Sequence, residues 1–189
     1  NPIGWKIIVA GLPSFICGLM DDFSSLSPKV RLTCQIVSGI LSVVILEYTV
    51  RTVGFELTIP YILGAIIAVV AITGITNAIN IIDGFNGLAG GIVSFILISV
   101  GIVSWLTQDI VILEVVIINL AAIIGFLFFN YPKGKIFLGD GGAFYLGYLI
   151  SSLVLLITFR NDEISIYYSL AILSYPVFEV LFSMYRKKI

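Results

Sequence analysis

Ile59-Pro-Tyr-Ile-Leu-Gly-Ala-Ile-Ile-Ala-Val-Val-Ala-Ile-Thr-Gly-Ile-Thr-Asn-Ala-Ile79 contains no Asp, Glu, Lys or Arg from end to end. A helix needs about 20 predominantly apolar residues to cross the hydrocarbon core of a bilayer, so this stretch is long enough to span one. Outward from it, comparable runs near residues 4–20, 31–47, 87–106, 110–129, 142–158 and 165–185 bring the expected number of spans to seven. Composition agrees. Of 189 residues 59% are hydrophobic and 11% charged, and the mean hydropathy of +1.14 is outside the range of a soluble globular domain. The expectation is an all-α, polytopic integral membrane protein in which residues 1–189 form a single transmembrane domain. Pro13 and Pro176 fall inside the first and last spans, where they should bend the helices. The chain starts at Asn1 without Met and stops just after a basic cluster, so it is expected to be an excerpt truncated at both ends.

Seven crossings place the segments 21–30, 80–86, 130–141 and the tail from Arg186 on one side of the membrane. That side holds Lys29, Arg31, Lys133, Lys135, Arg186, Lys187 and Lys188, against Lys6, Arg51 and Arg160 on the other, so the positive-inside rule makes it cytoplasmic. A formal net charge of −1 gives no basic surface for nucleic acid. Cys17 and Cys34 lack the spacing of a zinc site or a disulfide framework. There is no histidine, which removes histidine bases, histidine ligands and Ser-His-Asp triads from this stretch.

Of six aspartates, Asp21, Asp22, Asp83 and Asp140 share the cytoplasmic side. The positive-inside rule concerns Lys and Arg, so it does not explain why acids gather there too. Asp21 and Asp22 close the first span, where two carboxylates oppose the helix dipole and call for a compensating partner such as a divalent cation; a solvated loop is the alternative. Ser27 and Pro28 read as N-cap and first residue of the next helix. In Thr76-Asn77-Ala-Ile-Asn80-Ile-Ile-Asp83-Gly84-Phe-Asn86-Gly87, Asn80 and Asp83 are three apart and share a helical face, offering hard oxygen ligands. The alternative is that Asp83 caps the following helix. In Asn130-Tyr-Pro-Lys133-Gly-Lys135-Ile-Phe137-Leu-Gly139-Asp140-Gly, Asp140 is either an ordinary N-cap or part of a phosphate site at a helix N-terminus beside two lysines. Glu179, deep in the last span, is either a functional acid or a helix-pairing one.

Carboxylates, amides and lysines gathered at one headgroup level suit a divalent ion bridging a diphosphate, since phosphoryl transfer asks a protein mainly for positioning and charge neutralisation. With Asp21-Asp22 followed by Lys29 and Arg31, the Asn77–Gly91 run, and Phe137-Leu-Gly-Asp140-Gly in this order, the sequence resembles the polyprenyl-phosphate N-acetylhexosamine-1-phosphate transferase superfamily, glycosyltransferase family 4. The resemblance covers essentially the whole chain. It implies a catalytic membrane domain of the bacterial inner membrane, its site facing the cytoplasm. There a sugar-1-phosphate passes from a UDP-N-acetylhexosamine to undecaprenyl phosphate with release of UMP. It also implies a magnesium ion, with manganese as a substitute, and leaves a homodimer open beside a single copy.

By position, the resemblance implies that Asn80 and Asp140 hold the metal. Asp21 and Asp22 would act near the lipid phosphate as base or orienting carboxylates, and Lys29 would neutralise phosphate. Asp83, counted with the catalytic acids, would shape the nucleotide pocket with Asn86 and Gly87, and Asn77 and Lys133 would contact substrate. Many bacterial members carry Asp where this chain has Asn86, and relatives often carry Asp at Glu179. The family's His-rich motif should follow Arg186–Lys188, so the excerpt alone is expected to be inactive.

The competing class is a transporter or channel, whose polar site should lie near the bilayer midplane and not at one interface. A CDP-alcohol phosphotransferase would need Ala-Arg after its Asp-Gly-x-x, where this chain has Gly87-Leu88.

Overall fold

The computed structural model describes residues 2–52 and 57–186. Eight helices follow in order: α1 (Pro2–Phe23), α2 (Pro28–Leu46), α3 (Tyr61–Ile82), α4 (Leu88–Leu106), α5 (Ile110–Asn130), α6 (Gly139–Arg160), α7 (Ile166–Ile172) and α8 (Ser174–Arg186). The first six are each long and apolar enough to cross a membrane. This is an all-helical multi-pass membrane protein. Among the described residues the nearest thing to a sheet is one isolated antiparallel bridge, Thr52 to Thr58. Lys187 and Lys188 of the expected basic tail lie outside the described residues.

The expected last span, 165–185, is two helices, α7 and α8, which together are apolar enough for one crossing and are bent by 48° at their break. The break falls just before Pro176, which has no N–H for the carbonyl of Ile172, four residues back, where α7 ends. Pro13, by contrast, leaves α1 continuous. There the N–H of Ser14 donates across the interface to Ser38 Oγ of α2, at 2.9 Å.

Helix α6 forms the axis of the bundle, its side chains buried from Ala143 almost to its end apart from a half-buried Tyr145. It approaches both α1 and α3 at small residues. A Cβ on Gly11 of α1 would press on the Tyr148 ring, and one on Gly147 would meet the Thr76 backbone of α3. This is the close backbone contact by which membrane helices associate where no hydrophobic driving force separates them from lipid. Buried hydroxyls complete the seam: Tyr148 donates to the Ile7 carbonyl (3.1 Å), and Ser42 bonds Tyr48 (2.9 Å) and Ser152 (3.1 Å). Leaving such groups unpaired in hydrocarbon would be costly, so they fix the mutual register of α1, α2 and α6.

The helix ends sort into two groups. At one end lie the C-termini of α1, α3 and α5 and the N-termini of α2, α4 and α6; the tight α1–α2 turn is capped there by Ser27, whose Oγ accepts the Val30 N–H, with Pro28 opening α2 as its sequence requires. At the other end Asp109, the N-cap of α5, meets Arg160 at the end of α6.

Candidate active site

Asp21, Asp22, Asn80, Asp83 and Asp140 come from three helices and meet at the first of these ends. Asp22, closing α1, reaches across to the start of α6: its Oδ1 accepts the Asp140 N–H at 2.7 Å and its Oδ2 the Gly141 N–H at 3.2 Å. Free N–H groups at a helix N-terminus carry partial positive charge, so the carboxylate that is misplaced on its own helix is well placed on its neighbour's. Gly139 makes this approach, with φ +70°, where a Cβ would lie 2.8 Å from Asp22 Oδ2. A Cβ on Gly18 would collide with the Asp140 carbonyl.

The partners that the Asp pair demands are therefore found inside the protein. Asp21 Oδ1 accepts the Leu26 N–H (2.6 Å) and its Oδ2 the Arg31 guanidinium (3.0 Å). Asp140 is not the N-cap of α6. It sits in the first turn behind Leu138, and its Oδ1 accepts Nδ2 of Asn80 at 2.5 Å. The Asp21 and Asp140 carboxyls are close enough for each to act on the charge of the other. Asp83 follows α3 as its C-cap, while the N-cap of α4 is Gly87, so Asp83 does not cap the next helix. Partial burial, reinforced by the charge of Asp140, pushes the Asp83 carboxyl up to about 6.

Two loops close the site. The Asp83–Gly87 turn lies against the segment between α5 and α6: Asn86 Nδ2 donates to the Pro132 carbonyl (3.3 Å), and the Gly87 N–H donates to Asn130 Oδ1 (2.5 Å). Asn130 is buried, and its Nδ2 donates to the Ile136 carbonyl at 2.8 Å. The sequence marks Asn130 only as a polar residue ending an apolar run; its part here is a tertiary one. Arg31, likewise without an assigned role, takes the ion pair with Asp21. Lys29 and Lys133 stand exposed on the rim. Asn77 is exposed on α3, one turn before Asn80. Glu179 is half-buried on α8.

Magnesium binds through one or two carboxylates, keeps several waters and takes its remaining ligands from substrate phosphate. Asp140, the amide oxygen of Asn80 and Asp83 form a donor set of that kind, and the mutual repulsion of Asp83 and Asp140 is what a cation between them would relieve. Among the described residues no three Asp, Glu, Cys or His side chains cluster closely enough to hold a metal unaided. These donors would suit an ion that takes its remaining ligands from a substrate.

The model of glycosyl transferase family 4 matches residues 5–158. The chain belongs to this family. Among family 4 relatives, "Probable undecaprenyl-phosphate N-acetylglucosaminyl 1-phosphate transferase" of Bacillus subtilis (strain 168) is 36% identical over an aligned 195 residues, which cover 96% of this chain and 52% of that protein. Phospho-N-acetylmuramoyl-pentapeptide-transferases are more distant. That of Enterococcus hirae is 28% identical over 75% of this chain and 48% of its own length, and that of Streptococcus agalactiae serotype III (strain NEM316) 27% identical over 73% and 45%. The chain thus spans about half the length of the curated relatives it matches.

Proposed function

We propose that the protein of which this chain is part transfers a sugar-1-phosphate from a UDP-N-acetylhexosamine, UDP-N-acetylglucosamine first among them, to undecaprenyl phosphate. An oxygen of the lipid phosphate forms a bond to the β-phosphorus of the donor. The bond from that phosphorus to the bridging oxygen breaks, and UMP leaves with its electron pair. The observation that carries this reading is the convergence of Asp21, Asp22, Asn80, Asp83 and Asp140 at one end of a membrane bundle. Membership of family 4 and the name of the Bacillus subtilis relative support it.

In this reading the site lies at the cytoplasmic face of a bacterial inner membrane. Asp140 and Asn80 hold the ion, and Asp83, ionised above about pH 6, completes the negative rim. A magnesium ion bound there would neutralise the diphosphate and stabilise charge developing on the UMP leaving group. Asp22 fixes the first turn of α6 and hence Asp140; Asp21, held by Arg31, faces the lipid phosphate, which Lys29 neutralises from the rim. Asn86 and Gly87 border the nucleotide, with Lys133 beside them. An apolar cavity of about 720 Å³ lies between α2 and α3, with Leu32 near the start of α2 among its lining residues, and offers the prenyl chain a place beside the bundle.

Membranes carrying the full-length protein, given undecaprenyl phosphate and a panel of UDP-N-acetylhexosamines with and without magnesium, should release UMP only when lipid, donor and metal are all present. No release with any donor from correctly inserted protein would overturn the reading.

A further inference from the structure

We infer that Asn130 is a positioning residue for the nucleotide-sugar half of the site, acting as a clasp between the two loops that border it. This rests on the transferase reading above. The last residue of α5 is an unusual place for a buried amide, and both ends of the Asn130 side chain are used: Oδ1 accepts the Gly87 N–H and Nδ2 donates to the Ile136 carbonyl. One partner opens α4, directly after the Asp83–Asn86 turn; the other immediately precedes Phe137 and the Gly139-Asp140 entry to α6. A single side chain therefore ties the turn bearing Asp83, Asn86 and Gly87 to the segment bearing Lys133 and Asp140.

The backbone around it is built to the same fit. Gly87, with φ +81°, leaves its N–H directed at Asn130, and a Cβ there would strike the Tyr131 ring. Gly134, with φ +58°, lies so close to Asn86 that a Cβ would come within 2.6 Å of its Nδ2. Asn86 in turn bonds the Pro132 carbonyl, and the N–H of Gly134 bonds the Asn130 carbonyl. Rotating the Asn130 amide by a half-turn would set N–H against N–H and oxygen against oxygen, so the two backbone partners select one orientation. With both functional atoms committed, Asn130 works through the loops it joins and leaves the substrate to Asn86 and Gly87. The side-chain bonds of the clasp run to Gly87 and Ile136, away from the α1–α2 turn where the lipid phosphate is received, and its loss should be felt by the donor first.

The test uses the full-length protein and three variants: Asn130→Ala, which removes both bonds, Gly134→Ala, which disturbs Asn86 from the other side of the clasp, and the double variant. The KM for the UDP-sugar should rise about tenfold in either single variant while the KM for undecaprenyl phosphate moves less than about twofold, and the double variant should be little worse than the more affected single one. A donor KM unchanged in Asn130→Ala, additive effects in the double variant, or a joint fall of kcat and both affinities with a lowered Tm would each overturn the proposal. Hydrogen exchange on the same proteins separates its failure from that of the transferase reading. Asn130→Ala should speed exchange at Gly87 and across residues 131–137 together even if no donor is turned over; unchanged protection of Gly87 would remove the clasp whatever the activity.

Discussion

Two groups of aspartates at opposite ends of the bundle are held in different ways. At the α5 N-terminal end Asp109 and Arg160 satisfy one another, Nε to Oδ2 at 2.7 Å and the terminal nitrogen to Oδ1 at 3.2 Å, while Asp109 also caps α5 through the Ile112 N–H. Close by, Arg51 lies over the Phe159 ring and meets Asp162 at 3.4 Å. Each of these two aspartates has its own arginine. At the far end Arg31 pairs with Asp21 alone, while Asp22 is held by two helix N–H groups and Asp140 by the Asn80 amide, neutral donors that orient a carboxylate without cancelling its charge. Closed ion pairs fasten helices together. An excess of oriented carboxylates is an electrostatic deficit, retained where a cation and a polyanionic substrate make it good.

The sharpest way to break this contrast is to neutralise the acid end. Asp140→Asn keeps the size of the side chain but removes the charge that repels Asp83 and faces Asp21, and turnover should fall by about a thousandfold or more, the order expected when a group stabilising transition-state charge is lost. Membrane insertion and helix content should be unchanged, since the backbone N–H groups held by Asp22 are intact. Turnover near the wild-type rate, measured as lipid-dependent UMP release, would remove Asp140 from the reaction.

A backbone change at the same end should cost less. Gly139→Ala forces a left-handed φ on a residue with a Cβ and drives that Cβ toward Asp22, a strain of about 1–2 kcal/mol expressed where α1 caps α6. Turnover should drop about tenfold to a hundredfold through misplacement of Asp140. An alanine variant as active as wild type would show that the Asp22 cap is not what positions the site.

Much of this end was legible in the sequence because ionisable residues at the limits of apolar runs are conspicuous: Asp21, Asp22, Asn80, Asp83 and Asp140 all stand where a span stops or starts. Helix boundaries followed from the same runs, and the α7–α8 break from Pro176. What the sequence could not disclose is pairing. Asp22 and Asp140 are 118 positions apart, and nothing local reveals that one caps the helix of the other. Asn130 is informative only once Gly87 and Ile136 are seen on either side of it.

The pH dependence sharpens the comparison further. Asp83 takes up its proton more readily folded than unfolded, because its carboxyl rises from 3.8 to about 6. Between these values the folded state binds more protons, so in metal-free protein this group's stabilising contribution is present below about pH 4 and is lost as pH rises through 6. Cation binding has the opposite slope: magnesium-dependent turnover should climb through pH 6 as Asp83 ionises. Asp83→Asn should flatten both trends, and an unaltered pH profile in that variant would place the titrating group elsewhere.

At the balanced end the expected effect on catalysis is the smallest. Replacing Arg160 alone with Met leaves Asp109 a carboxylate shielded from water, with the Ile112 N–H and no cation, and breaking a pair of this kind should lower stability by about 2–4 kcal/mol. Replacing both, Asp109→Asn with Arg160→Met, removes the stranded charge while an amide oxygen still caps α5, and most of that loss should return. In neither variant should the KM of donor or lipid change for the protein that remains folded, because the pair lies at the opposite end of α6 from Asp140. Thermal unfolding and UMP release measured on the same preparations separate the two quantities. If turnover per folded molecule fell with the Arg160 variant, the two ends would be coupled through α6, and the division between a fastening end and a reacting end would have to be given up.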